Sequence, residues 1–73
     1  MLFGPKRGTI VRVQPVDIHG TRMLDISYKL DAETGARSAR MGIEALYGEP
    51  HPGDRVLVHL LMDVVTWIDR AGP

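Results

Sequence analysis

Alternation of apolar and polar positions is the clearest pattern in this chain. It extends over residues 22–30, where the apolar positions are Leu24, Ile26, Tyr28 and Leu30. A period of two residues is typical of a β-strand with one buried face. A second alternating run, from Arg37 to Ile43, follows a short polar segment. The pattern therefore predicts a β-hairpin over residues 22–43, with the four apolar side chains in the core.

Three further segments have the composition of strands. Residues 8–14 are rich in β-branched side chains, and Pro15 is expected to end that strand because proline cannot donate to a ladder. Residues 55–62 and 64–68 form two more apolar runs. On the first of these, alternation groups Met62 with the core positions, and Trp67 on the second is expected in the core.

The segment between the hairpin and the last two strands differs from both. Residues 43–48 include Glu, Ala and Leu before Gly48, which predicts one short helical turn. Five short strands in a chain of this length must close on themselves or leave costly edges. We therefore predict an all-β fold, a small five-stranded barrel that is OB-like or SH3-like. The domain is expected to span residues 1–73, with residues 1–7 and 70–73 loose.

The run from Val56 to Met62 is apolar on nearly both of its faces. A strand with one solvated face would carry more polar residues, so something has to cover the second face. A 73-residue chain has little left for a second layer, and small lone domains are marginally stable. The pattern predicts an interface with a protein partner or with copies of the chain itself, centred on Leu57, His59, Leu61 and Val64.

Composition narrows the classes of partner and compartment. The chain has no cysteine, which excludes disulfides and thiolate metal sites. No apolar run reaches the length of about 18 residues that a membrane span needs, and the N-terminal residues do not resemble a signal peptide. We therefore expect a cytoplasmic protein with no membrane contact.

A nucleic-acid-binding OB or SH3-like module is the alternative. Nine basic residues balance nine acidic ones, so the chain has no net charge, and phosphate binding needs clustered cations. The N-terminal part is mildly basic nevertheless. Its possible nucleic-acid contacts are Lys6, Arg7, Arg12, Arg37 and Arg40.

Catalytic and metal chemistry have little support in the residues. His19, His51 and His59 lack the close paired spacing of a zinc site, so we predict no metal and no cofactor. Asp17 with His19, and His51 with Asp54, are the nearest approach to acid–base pairs, but a filled barrel offers little cleft for a substrate. The chain is therefore not expected to be an enzyme.

The segment Pro52-Gly53-Asp54-Arg55-Val56-Leu57-Val58-His59, with Ile68-Asp69 downstream, resembles the HypC/HupF hydrogenase-maturation chaperones. Residues 8–13 are similar to the first strand of that family. The resemblance implies a small OB-like barrel that binds a protein precursor. The cysteine that the family carries at its second position is Leu2 here, so its metal-carrying activity does not transfer.

Together these observations predict a non-catalytic, chaperone-like or accessory factor that acts by binding a protein or by self-association.

Overall fold

Antiparallel strands account for most of residues 4–72, the part of the chain that the computed structural model describes. The strands are β1 (Lys6–Ile18), β2 (Thr21–Leu30), β3 (Ala36–Gly42), β4 (Arg55–Leu61) and β5 (Val64–Arg70). One turn of 3-10 helix, η1 (Ile43–Ala45), follows β3 and confirms the predicted helical turn. The predicted hairpin over residues 22–43 is formed by β2 and β3.

All five strands belong to one sheet, in the order β3-β2-β1-β4-β5. β1 pairs with β2 along nearly its whole length and with β4 only at its beginning, from Lys6 to Thr9. Among the described residues no ladder joins β3 to β5, although a single bridge links Leu46 to Ile68. The all-β prediction is confirmed, whereas a closed barrel is not.

The core lies on the inner face of the sheet and takes side chains from every strand. Ile26, Tyr28 and Leu30 of β2 are buried, as the alternation predicts, while Leu24 is half-buried and packs against them. Its other buried members are Ile10, Met41, Val56, Val58 and Ile68. Because consecutive strand residues point to opposite faces, the intervening residues of β4 and β5 point outward.

The first strand is longer than its composition predicts. Lys6 and Arg7 pair with Val58 and Leu57, so the part of the predicted loose arm that is described becomes a strand from residue 6, and residues 1–3 lie outside the described range. Pro15 pairs with Leu24 instead of ending the strand. It lies beyond the β4 ladder, where its missing N–H removes no second hydrogen bond.

The remaining corrections concern the ends of elements. Ile43 is predicted beside Met41 in the core, but it is 58% exposed because the chain turns into η1 there. Arg70 is expected to be loose yet belongs to β5, and the N–H of Ala71 donates to the carbonyl of Arg55 at 3.0 Å. Pro73 lies outside the described residues. No helix within residues 4–72 has the length and apolar character to cross a membrane.

Candidate docking surface

The outward-facing residues of β4 are apolar or aromatic. Val56 and Val58 are fully buried on the inner face, so Leu57, His59 and Leu61 point to the other side of the sheet. Leu57 and His59 are half-buried, and Leu61 is 59% exposed. No layer of residues 4–72 covers this side of the strand completely.

β5 extends the same surface. In the ladder, Leu57 lies opposite Asp69, His59 opposite Trp67, and Leu61 opposite Val64. Residues directly opposite each other in an antiparallel pair share a face. The structure thus places the four predicted interface residues together. We call this surface the outer β4–β5 face, defined by Leu57, His59, Leu61, Met62, Val64 and Trp67.

Trp67 is fixed at the centre of this face by its neighbours. Its ring stacks on His59, with centroids 4.2 Å apart and planes 20° apart. Its Nε1–H donates to Asp69 Oδ2 at 3.1 Å, and His59 Nε2 lies 3.0 Å from the same oxygen. Trp67 is 45% exposed, so the expectation that it is a core residue is wrong. The adjacent Ile68 fills the core instead, which turns Trp67 outward.

The hairpin turn between β4 and β5 presents Met62 to solvent. Met62 and Asp63 both have positive φ, 52° and 68°, as in the two-residue turns that match strand twist. Met62 is 87% exposed, so its predicted grouping with the core positions is wrong. A left-handed conformation costs roughly 1–2 kcal/mol for most L-residues. An apolar side chain is therefore kept at an exposed position where the backbone disfavours it.

Replacing Met62 with asparagine should stabilise the fold. Asparagine tolerates the left-handed region and is preferred in such turns, so we expect Met62→Asn to raise the free energy of unfolding by about 0.5–1 kcal/mol. Met62→Ala is the matched control, since it removes the same side chain and keeps the backbone penalty. Urea denaturation of both variants measures the difference. Equal stability of the two would show that the turn stores no strain.

The candidate nucleic-acid contacts do not form one basic surface. Arg37 donates to Glu33 at 2.9 and 2.6 Å, and Arg40 donates to Asp25 at 2.8 and 3.1 Å. These bonds hold the pKa values of both carboxyls below their ordinary values, so the four charges already pair in the chain. The remaining three are Lys6 and Arg7, at the start of β1, and Arg12, which bonds Gln14 at 2.6 Å.

Arg12 and Arg40 line an open polar groove of about 420 Å³ on the outer side of β1, β2 and β3. Asp25 lies in the same groove, so its cations do not stand alone. Nucleic-acid binding through the five residues stays a prediction.

The candidate acid–base pair at His51 and Asp54 has a structural role. Asp54 Oδ2 accepts the Tyr47 hydroxyl at 2.7 Å and the backbone N–H of His51 at 2.9 Å. These bonds lower the pKa of Asp54, and burial together with the hydrogen bond raises that of Tyr47. Arg70 lies over the Tyr47 ring at 5.1 Å. The carboxylate therefore ties the loop before β4 to itself.

The histidines are dispersed over the molecule. His19 and His51 are exposed in turns, and His59 belongs to the outer β4–β5 face. Within residues 4–72, no three His, Cys, Asp or Glu side chains form a group that could hold a metal ion.

Sequence reasoning missed two members of the docking surface, Met62 and Trp67. A signal for Met62 was present, because a two-residue link between two apolar runs is typical of a hairpin turn. Comparison with protein-family models, with curated proteins and with solved structures finds no match for the chain.

Proposed function

We propose that this chain is a non-catalytic binding protein that docks onto another folded protein through the outer β4–β5 face. The observation that carries the proposal is a concentration of exposed apolar side chains on one hairpin. Leu61 is 59%, Met62 87%, Val64 64% and Trp67 45% exposed. Soluble monomers seldom leave contiguous apolar surface of this kind without a use for it.

The chemistry of the face suits a protein partner. Tryptophan and methionine are enriched at protein interfaces, and tryptophan is prominent among residues whose loss weakens binding most. Trp67 is held in place by His59 and Asp69, so little side-chain freedom is lost on binding. The buried inner residues Val56, Val58 and Ile68 give the face a rigid support.

We further propose an OB-like arrangement over an SH3-like one. β1 pairs with both β2 and β4, a helical turn separates β3 from β4, and β5 approaches η1 through the bridge between Leu46 and Ile68. Pairing of β5 with β3 would complete the partly open barrel typical of OB folds. The HypC/HupF-like segment, residues 52–59, supports a chaperone-like role, and the cytoplasm remains the expected compartment.

A photo-crosslinking residue at position 61 tests the docking surface. We expect it to form adducts with a protein in cells that make the chain, because Leu61 lies in the exposed apolar face. The same residue at position 29 is the control, since Lys29 is exposed on the outer side of β2. Adducts at position 61 should disappear when Trp67→Asp is added. Equal adducts at both positions, or adducts only with nucleic acid, would contradict the proposal.

A further inference from the structure

We propose that the protein docked on the outer β4–β5 face is a second copy of this chain, related to the first by a two-fold axis through the His59–Trp67 pair. This inference rests on the proposed docking surface and names its occupant. It is carried by the distribution of apolar and charged residues on the two sides of that pair.

The ladders define that distribution. On one side of the His59–Trp67 pair lies a row formed by Arg7 of β1, Leu57 of β4 and Asp69 of β5. On the other side lie Leu61 and Val64, followed by the Met62–Asp63 turn.

A two-fold rotation about the central pair exchanges these two sides. The exposed Leu61 and Val64 of one copy then lie over Leu57 of the other, and the rings of Trp67 meet near the axis. Each contact occurs twice, as an isologous interface requires. Every apolar member of the face is then covered by an apolar or aromatic group, which a chain of this size has no second layer to provide.

Charge complementarity supports the same arrangement. At about 3.3 Å per residue, Asp63 lies roughly 10 Å from the axis on one side and the Arg7 row about 7 Å on the other. The rotation therefore brings Asp63 of each copy within reach of the long Arg7 side chain of its partner. Asp69 in that row is already engaged by Trp67 and His59, and Arg37, which senses Asp63 within its own chain, is bonded to Glu33.

The balance of charges favours a copy over a partner of one dominant sign. The face has an arginine at one end and an aspartate at the other, and the whole chain has no net charge. Such a surface is complementary to itself, and little long-range repulsion keeps two copies apart.

Charge exchange tests the arrangement, with the dissociation constant measured by sedimentation equilibrium over a concentration series. We expect the wild type to be dimeric, and Asp63→Arg or Arg7→Asp alone to raise the dissociation constant about tenfold, since two pairs become repulsive. The double variant should restore it to within a few-fold of the wild type. Lys29→Asp, a charge change outside the face, should leave it unaltered, and Leu61→Asp should yield monomer. Circular dichroism confirms that each variant is folded.

The possible failures are distinct. A wild type that stays monomeric at every concentration overturns the second copy, yet the docking surface survives if position 61 still crosslinks to a different protein. A dimer unaffected by Leu61→Asp in a folded chain overturns the face itself. A double charge variant no tighter than the single variants overturns the two-fold arrangement.

Discussion

Replacing Ile26 with alanine is expected to lower the free energy of unfolding by about 2–5 kcal/mol, the range for large-to-small changes in a packed core. Ile26 has no exposed surface and lies in the middle of β2, between Val13 and Ala39 of the neighbouring strands. Total stability amounts to only about 0.05–0.15 kcal/mol per residue, so the loss would leave much of the population unfolded. Urea denaturation followed by circular dichroism measures the change.

Ile43→Ala is the matched control, because it makes the same chemical change at a side chain that is 58% exposed. It should alter the free energy of unfolding by less than about 0.5 kcal/mol. Ile26→Val, which leaves a smaller cavity, should fall between the two at about 0.5–1.5 kcal/mol. Similar losses from Ile26→Ala and Ile43→Ala would mean that the core is not centred on β2.

The second large effect is expected at Gly8, where β1 passes between β2 and β4. A Cβ atom at this position would lie 2.6 Å from the backbone carbonyl oxygen of Lys29 and 3.2 Å from Leu30 Cδ2. A ladder carbonyl cannot rotate away as a side chain can, so Gly8→Ala forces the β1–β2 pairing to shift. We expect a loss of about 1–3 kcal/mol in the free energy of unfolding, measured by urea denaturation.

Gly35→Ala provides the comparison for Gly8. An added Cβ at Gly35 meets nothing within 4 Å, and its φ is an ordinary one. This variant should be neutral or gain up to about 1 kcal/mol, since alanine restricts the unfolded chain. If Gly8→Ala were equally harmless, the close approach of β1 to β2 would be wrong.

Local alternation was sufficient to predict the inner face of the sheet. Ile26, Tyr28 and Leu30 are buried because their hairpin needs only a short connection and one apolar side. The extent of β1 was not predictable, because the effect of Pro15 depends on whether a second strand pairs beside it. That depends on where β4 ends, which is a tertiary property absent from the local pattern.

The outer face was predictable only in part. The apolar character of both sides of β4 indicated that Leu57 and Leu61 lack a covering layer, and the structure leaves Leu61 largely exposed. Trp67 was misplaced because a large aromatic residue is usually buried, while its position beside Ile68 decides which of the two faces the core. The register shift next to His59, where β5 contains an extra residue, has no signature in the sequence pattern.

The limited contact between β1 and β4 has a consequence for the order of folding. The β1–β2 and β2–β3 pairings are joined by short connections, and such hairpins form within microseconds. Pairing of β1 with β4 unites the two ends of the chain and must first overcome a larger loop-closure entropy. Until it forms, the β4–β5 hairpin exposes Val58 and Ile68 on one side and Leu61 and Trp67 on the other. That interval is when a nascent chain is most prone to aggregate.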